Sequence, residues 1–361
     1  MNNIGFIGLG KLGKPVSEVI SKKYNVITYD INGSGTVTTI KNCVSNADIV
    51  FIAVPTPHDP EYDGRYECTN LEPKNFDYST VKDVLNESNK YMNKSQLLVL
   101  ISTVLPGTTR KHLLPVVNNT NLVYNPYLIA MGTVKYDFIY PEMIMIGGSN
   151  KHYLQLKNFY RNIGVKCNRY IHGNYEECES IKIFYNTFIT TKITLVNMIQ
   201  DVAVKLGNMN VDVVTNALAY STQRIMSPKY MKAGMGDGGS CHPRDNIALR
   251  WLAKDLDLGY DLFDSIIKAR EIQAKNMAKE ILKLGNKIQF SSNSFKPDVD
   301  IEDGSYSILI QNYIKKLGGK ITNSNPDVYV LVHPNDKPQI KNNIINFNPW
   351  KDYGNNNIKS W

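Results

Sequence analysis

Three glycines near the amino end, Gly8, Gly10 and Gly13, constrain the fold more than any other feature of the sequence. They follow an apolar run at residues 3–8 that is typical of a buried strand, and residues 14–22 after them have the pattern of a helix. In that context the glycines allow a tight turn and close backbone approach, and the helix N–H groups favour a pyrophosphate. The turn predicted to bind a dinucleotide comprises Gly8, Leu9, Gly10, Lys11, Leu12 and Gly13.

Asp30 indicates which dinucleotide is bound. It ends the next strand-like run, residues 25–30, and so completes a βαβ unit. A carboxylate at this place accepts both ribose hydroxyls and repels a 2′-phosphate. We therefore expect NAD rather than NADP.

Further buried strands are predicted at residues 49–54, 97–102 and 143–147, with helical or loop sequence between them. Alternation of this kind is typical of an α/β fold with a doubly wound parallel sheet. We expect that sheet to occupy roughly residues 1–150, within a Rossmann-type domain at residues 1–173.

The pattern after this domain becomes helical. Long helices are predicted at residues 175–207 and 260–284, the second ending before Gly285. Strand-like residues 287–290 and 328–332 then flank a helix at 307–317. We therefore expect a central helical region at residues 174–284 and a small C-terminal α/β domain at 285–361.

Composition excludes several classes of protein. Apolar residues make up 42% and charged residues 20% of the chain, as in a globular protein with a sizeable core. No apolar run approaches the roughly 20 residues of a membrane helix. The start, MNNIGFIGLG, lacks the cationic and hydrophobic regions of a secretory signal, so we expect a cytoplasmic protein.

The net charge and the cysteine content limit the kinds of ligand and the role of cysteine that the chain can have. The net charge of +8 comes from lysines spread along the chain rather than from a basic run, which favours an anionic small molecule over nucleic acid. The five cysteines form no Cys-x-x-Cys pair, so we expect neither a disulfide framework nor a metal site. A functional cysteine in this chain would act as a thiol.

The candidate thiol is Cys241, which lies in a predicted glycine-rich loop at residues 236–245. Glycines there let the backbone crowd a ligand, Arg244 can help to keep the thiol ionised, and Asp245 can hold a water. Beside a nicotinamide cofactor, a thiol can add to an aldehyde, and the adduct can lose a hydride to give a thioester. We expect His242 to be part of the loop structure, because neighbours in sequence rarely face each other.

An oxyanion formed in such a reaction needs a cation or amide donors. Lys182 and Asn186 are four residues apart on the predicted helix at 175–207 and therefore share one face. Both can reach the same substrate oxygen.

The order of these motifs resembles the UDP-glucose/GDP-mannose (nucleotide-sugar 6-) dehydrogenase family, particularly its members that act on UDP-glucose. The resemblance covers nearly the whole chain. Its motifs are residues 5–13, Val54-Pro55-Thr56-Pro57, residues 102–109 (STVLPGTT), Asn125-Pro126, Glu179-Ser180-Ile181-Lys182 with Asn186, Arg224-Ile225, residues 238–245 (GGSCHPRD) and Phe295-Lys296-Pro297.

The resemblance implies oxidation of the C6 alcohol of UDP-glucose through an aldehyde to the carboxylate of UDP-glucuronate, with two NAD and a water. Cys241 would be the nucleophile, Lys182 and Asn186 would hold the oxyanion, and Asp245 and Thr103 would position water. The C-terminal domain would bind the UDP, and the central helices would form a homodimer in which Arg224 reaches the neighbouring site. Further implied cofactor contacts are Val54, Pro55, Thr56, Pro57, Ser102, Thr103 and Arg244, and implied substrate contacts are Tyr127, Met131, Lys182, Asn186, Arg224, Tyr230, Lys232, Gly236, Gly238, Gly239, Cys241 and Lys296.

Four positions depart from the family pattern. Tyr127 and Met131 stand where the family usually has glutamates, and a tyrosine with a pKa near 10 is a poor base at neutral pH. Hydrolysis of the thioester would then depend on Asp245. Asp303 stands at the best match for a cofactor-approaching arginine, and Asp237 stands where an aromatic residue is common.

Two alternatives follow from these departures. The enzyme would act on another nucleotide sugar, such as a UDP-N-acetylhexosamine, or would stop at the aldehyde. In the second alternative, the chain is an inactive nucleotide-sugar-binding homologue, against which the joint presence of Cys241, Lys182, Asn186 and Asp245 argues.

Overall fold

A computed structural model describes residues 3–57, 65, 69, 71–130, 132–227, 229, 234–237, 241–297, 299–341, 343–350 and 358–360. The chain forms two compact units, Met1–Thr191 and Lys192–Trp361. The predicted division into three domains at residues 173 and 284 stays a prediction.

The first unit contains a seven-stranded sheet. Its strands are β1 (Asn3–Ile7), β2 (Asn25–Tyr29), β3 (Ile49–Ile52), β4 (Leu97–Leu100), β5 (Asn121–Tyr124), β6 (Ile144–Gly147) and β7 (Tyr170–Gly173), in the spatial order β2-β1-β3-β4-β5-β6-β7. The predicted Rossmann-type sheet is confirmed, with one difference: β5 and β6 are antiparallel, whereas all its other strand pairs are parallel. The sequence did not predict β5 and β7, because each is only four residues long and carries a polar side chain.

Helices cover both faces of this sheet. They are α1 (Gly13–Ile20), α2 (Ile40–Val44), α3 (Ser79–Lys90), α4 (Val134–Ile139) and α5 (Asn150–Asn162). Alternate strand residues enter two separate cores: Phe6 and Phe51 pack with Phe159 of α5 on one face, while Val50 and Ile52 pack with Leu85 of α3 on the other. Burial on both faces explains why the central strands are continuously apolar.

Four more helices follow, α6 (Tyr175–Leu206), α7 (Val211–Ala219), α8 (Cys241–Asp255) and α9 (Leu262–Leu284). The predicted helices at 175–207 and 260–284 correspond closely to α6 and α9. Helix α9 begins at Leu262 because Asp261 caps it, with its Oδ1 accepting a hydrogen bond from Asp264 N at 3.0 Å. Among the described residues, no helix combines the length and apolar character needed to cross a membrane.

The predicted C-terminal α/β fold is also confirmed. Its parallel sheet has the order β12-β11-β10-β8-β9 and packs against α10 (Tyr306–Lys316). Ile288, Ile310, Val328 and Phe347 are buried in its core. The strands are β8 (Lys287–Phe290), β9 (Lys320–Ile321), β10 (Val328–Val330), β11 (Ile345–Asn348) and β12 (Ile358–Ser360).

Candidate active site

The turn between β1 and α1 requires glycine at two positions. Gly8 has a φ of +94°, and a Cβ on it would lie 2.7 Å from the carbonyl oxygen of Ala53. A Cβ on Gly13 would lie 1.9 Å from the carbonyl oxygen of Gly8. Gly10, in contrast, has nothing within 4 Å of its Cβ position. The backbone is therefore tightly folded on itself while open space remains at Gly10 for a ligand.

Asp30 is held beside this turn. Its Oδ2 accepts a hydrogen bond from Leu9 N at 2.6 Å, and its Oδ1 accepts one from Asn32 N at 3.0 Å. Since Leu9 belongs to the predicted phosphate turn, the carboxylate is fixed relative to that turn by backbone contacts. Lys11 is exposed, and Leu12 packs against the core beneath α1.

A cleft of about 880 Å³ opens at this place, within the range typical of ligand sites. Its walls include Gly8, Gly10 and Asp30 from the βαβ unit and Val54 and Pro55 after β3. Asp83 and Glu87 of α3 also line it, and the sequence did not predict them. No local motif marks these two acids, because they reach the cleft only through the packing of α3 beside β3. Together with Asp30 they make the cleft unfavourable for an additional phosphate.

The ends of β3 and β4 are joined by two side-chain hydrogen bonds. Ser102 Oγ donates to the carbonyl oxygen of Val54 at 2.6 Å, and Thr56 Oγ1 donates to that of Thr103 at 2.7 Å. Because parallel strands present their carboxyl ends at one edge, these residues lie at the same edge as Gly8. The structure thus brings together the predicted cofactor contacts of both segments.

Glu179 is a residue whose role the sequence did not indicate, although it belongs to one of the quoted motifs. Its side chain is 0% exposed, and its two oxygens accept hydrogen bonds from Gly107 N at 2.6 Å and Thr109 N at 2.7 Å. A buried carboxylate is costly unless it is paired or hydrogen-bonded in this way. Glu179 therefore fastens the start of α6 to the loop that follows Thr103.

Lys182 and Asn186 lie one and two turns beyond Glu179 on α6. Lys182 is half-buried, and this burial lowers the pKa of its ammonium group below the usual lysine value. Asn186 is exposed. Their spacing on α6 agrees with the predicted shared face.

Tyr127 is engaged with the core of the first unit. Its Oη lies 3.0 Å from Tyr160 Oη, and Tyr160 in turn donates to Asn125 Oδ1. The Tyr127 ring packs against Phe138 with 5.5 Å between ring centroids. Burial raises the pKa of Tyr127, so still less phenolate is present at neutral pH to act as a base. Met131 lies outside the described residues.

Cys241 is the first residue of α8 and is exposed. The expectation that residues 241–245, including His242, form a loop was wrong, since they form the first turn of this helix. The proline at position 243 is compatible with a helix there because first-turn N–H groups need no intrahelical acceptor. Cys43 and Cys178 are buried and Cys167 is partly exposed, whereas Cys68 lies outside the described residues.

Arg244 and Asp245 pair with each other on this helix. Arg244 Nη2 lies 2.9 Å from Asp245 Oδ1. Asp245, and to a smaller extent Cys241, raise the pKa of the Arg244 guanidinium. A permanent cation thus lies near the thiol. Among the residues that the structure describes, no cluster of His, Cys, Asp or Glu could hold a metal ion.

The other predicted substrate contacts lie in the second unit. Arg224 is exposed in a turn after α7, and Lys296 lies in a turn after β8. Gly236 precedes Asp237, whose carboxylate pairs with Arg270 of α9. Tyr230, Lys232, Gly238 and Gly239 lie outside the described residues.

Comparison with protein-family models matches two segments of the chain. Residues 34–164 match the NAD binding domain of the UDP-glucose/GDP-mannose dehydrogenase family, and residues 176–271 match its central domain. The two matches cover more than half of the chain. The first begins after Asp30, so the glycine turn stands as independent support for the cofactor, NAD.

Curated relatives are similar over most of this chain. UDP-glucose 6-dehydrogenase of Rickettsia prowazekii is 28% identical over 295 residues, which are 79% of this chain and 62% of the relative. The enzyme of the same name from Bacillus subtilis is 27% identical over 302 residues, 80% of this chain and 64% of the relative. The chain thus spans less than two thirds of the length of these relatives.

Solved structures share the fold. A ternary complex of GDP-mannose dehydrogenase from Pseudomonas aeruginosa superimposes with a TM-score of 0.84 at 19% identity, covering 100% of this chain and 99% of that one. A UDP-glucose dehydrogenase from Pyrobaculum islandicum gives a TM-score of 0.53 at 20% identity, covering 92% and 90%. With the two matched domains and the glycine turn, the chain belongs to the UDP-glucose/GDP-mannose dehydrogenase family.

Proposed function

We propose that this chain is an NAD-dependent dehydrogenase that oxidises C6 of UDP-glucose to the carboxylate of UDP-glucuronate. The observation that carries the proposal is the presence, in one chain, of an NAD cleft and an exposed thiol flanked by a cation. The names of the curated relatives support UDP-glucose as the substrate. We place the reaction in the cytoplasm and propose residues 1–173 as the NAD domain, 174–284 as the central region and 285–361 as the UDP domain.

NAD fits the cleft because Gly10 leaves its backbone open, Asp30 faces the ribose side, and acids line the wall. When bound, it supplies a hydride acceptor for each of the two oxidation steps. It would be held by the amides of residues 8–13 and by the edge formed by Val54, Pro55, Thr56, Pro57, Ser102 and Thr103.

Cys241 supplies the covalent step of the proposed mechanism. Its sulfur adds to the C6 aldehyde, and the aldehyde oxygen becomes the oxyanion of a thiohemiacetal. The ammonium of Lys182 and the amide of Asn186 stabilise that oxyanion. Loss of the C6 hydride then leaves a thioester on Cys241, and water releases the acid and restores the thiol.

Hydrolysis is the step for which the site is least well equipped. Tyr127 Oη is hydrogen-bonded to Tyr160 Oη in the core. We therefore propose that Asp245 and Thr103 position the water. Asp245 would first have to release Arg244. This arrangement favours, as the second candidate function, an enzyme that releases the aldehyde or that acts on another nucleotide sugar. The third candidate is an inactive nucleotide-sugar-binding homologue.

A product assay separates these candidates. The purified protein is incubated with NAD and UDP-glucose, UDP-N-acetylglucosamine, UDP-N-acetylmannosamine or GDP-mannose, and products are identified by mass. We expect UDP-glucuronate with two NADH per sugar. One NADH per sugar with a trapped aldehyde would support the second candidate, and no NADH with any sugar would support the third.

Replacing Asp30 with asparagine should reduce the preference for NAD over NADP. The substitution removes the charge that repels a 2′-phosphate but keeps an acceptor for Leu9 N. We expect kcat/KM for NADP to rise and that for NAD to fall, each by about tenfold. The Asp48→Asn variant, altered away from the cleft, is the control. Unchanged discrimination would refute the proposed ribose role of Asp30.

The central helices expose apolar side chains that one copy of the chain leaves uncovered. Large apolar side chains exposed on several helices are typical of a surface that another chain covers. We therefore propose that a second copy covers these helices, giving a homodimer. The exposed side chains are Phe184, Phe188, Ile193 and Val204 of α6, Val213 of α7, and Ile247 and Trp251 of α8.

A mixing experiment tests both the dimer and the placement of Arg224. Arg224→Ala and Cys241→Ala subunits are each expected to be inactive alone. If Arg224 serves the neighbouring site, mixed dimers contain one site with both residues intact, and activity should recover to about a quarter of wild type. A mixture that forms dimers by light scattering but stays inactive would contradict this placement. A monomer would contradict the dimer itself.

A further inference from the structure

The segment at residues 234–237, which leads toward Cys241, is packed against aromatic rings of the second unit. A Cβ on Gly236 would lie 2.3 Å from the ring of Tyr306, the first residue of α10. A Cβ on Gly234, whose φ is +150°, would lie 2.2 Å from the ring of Trp350. Met235 between them packs against the core below the sheet. These glycines therefore allow a close approach of backbone to ring that other residues would block.

An ion pair fixes the end of this segment. Arg270 Nε donates to Asp237 Oδ1, and the two side chains are only 15% and 28% exposed. Arg270 Nη2 also donates to the carbonyl oxygen of Gly304 at 3.1 Å, and its guanidinium lies over the ring of Tyr306 at 5.3 Å. Tyr306 Oη in turn donates to the carbonyl oxygen of Arg270 at 3.1 Å. The guanidinium thus joins α9, the start of α10 and the segment at 234–237.

The pair is close to the thiol along the chain. Three residues separate Asp237 from Cys241, and a fully extended chain spans at most about 3.6 Å per residue. The Cα of Cys241 therefore lies within about 14 Å of that of Asp237. A contact that fixes the position of Asp237 therefore also restricts the position of Cys241.

We propose that Arg270 is a positioning residue, which acts through Asp237 to anchor the segment preceding Cys241. The expected effect of Arg270 on catalysis rests on the proposed function, whereas its expected effect on local order does not. Arginine is required because its planar fork serves Asp237 and Gly304 at once, whereas lysine offers a single point charge. A reacting sulfur misplaced by about 1 Å can cost about a hundredfold in rate.

Amide hydrogen exchange, measured by mass spectrometry on the full chain, tests the anchor directly. In Arg270→Lys and Asp237→Asn, we expect exchange in the peptide covering residues 234–245 to rise about tenfold, the factor that one charge-assisted hydrogen bond confers. Peptides of α10 should keep their wild-type protection. Asp237→Glu, which keeps a carboxylate for Arg270, should retain more protection of 234–245 than Asp237→Asn.

The matched control is Arg250→Lys, which weakens another ion pair of the second unit, that of Arg250 Nε with Asp261 Oδ2 at 3.0 Å. It should leave exchange at 234–245 unchanged. Equal exchange in Arg270→Lys, Asp237→Asn and wild type would overturn the proposal. If Arg270→Lys fails to fold, Asp237→Asn decides: faster exchange at 234–245 than in wild type supports the anchor, and wild-type exchange there overturns it.

Kinetics give the second readout. We expect Arg270→Lys to lower kcat for UDP-glucose oxidation by about a hundredfold while KM for NAD stays unchanged, because the NAD cleft lies in the first unit. An unchanged kcat in a folded variant would overturn the catalytic part of the proposal. If the wild-type protein oxidises no nucleotide sugar, the proposed function fails, and hydrogen exchange still tests the anchor by itself.

Discussion

The Cys241→Ala variant is expected to form no UDP-glucuronate, with kcat for acid formation at least about a thousandfold below wild type. Without the sulfur no thioester can form, and the variant has no other described exposed cysteine to replace it. NAD binding should persist, because the glycine turn and Asp30 belong to the other unit. Titration with NAD, together with product analysis by mass, measures both properties.

Cys167→Ala is the matched control, because it removes a partly exposed thiol that donates to the carbonyl oxygen of Arg169 and has no proposed part in the reaction. It should retain wild-type turnover. Cys241→Ser should accumulate an ester, since an oxygen ester hydrolyses more slowly than a thioester. Acid formation by Cys241→Ala at the rate of Cys167→Ala would exclude covalent catalysis by this residue.

The second large effect is expected from Lys182→Met. Methionine preserves most of the side-chain volume but removes the ammonium that is proposed to face the oxyanion. Loss of one oxyanion donor typically lowers kcat by about 10² to 10³. We expect a loss of that size with little change in KM for NAD. Lys205→Met, at the exposed end of the same helix, is the control and should keep wild-type activity.

The dependence of activity on pH tests whether the charge of Lys182 is required. Only the protonated form of Lys182 stabilises an oxyanion, and burial lowers its pKa below that of an exposed lysine. Activity should therefore decline on the alkaline side at a pH below the ordinary lysine value of about 10.4. Lys182→Arg, which stays charged, should lose this alkaline limb. If the alkaline decline in activity persists unchanged in Lys182→Arg, it comes from another titrating group.

The features that the sequence predicted best are local ones. Gly8, Gly13 and Asp30 act through the turn and strand in which they lie, so their spacing alone was enough to predict the NAD cleft. Apolar runs were likewise sufficient for β1, β3 and β4, which are buried on both faces. The antiparallel pairing of β5 with β6 was not predictable, because strand direction depends on the path of the intervening chain.

Features that depend on packing between distant segments had no local signature. Glu179 is 70 residues from Thr109 along the chain, and only the fold shows that its carboxylate binds that loop. Asp83 and Asp237 are similar cases, since their neighbours come from other elements. Cys241 was predicted as a loop residue because glycines and a proline surround it, whereas the glycines end where α8 begins.

The central claim is that Cys241 forms a covalent bond with the sugar. The most direct measurement is to quench wild-type protein and Asp245→Asn in acid during turnover with NAD and UDP-glucose, digest both, and determine the mass of the peptide that contains Cys241. The proposed mechanism predicts a uronyl adduct on that peptide, more abundant in Asp245→Asn because hydrolysis is slower. Acid accumulating in both samples while this peptide keeps its unmodified mass throughout would contradict the mechanism.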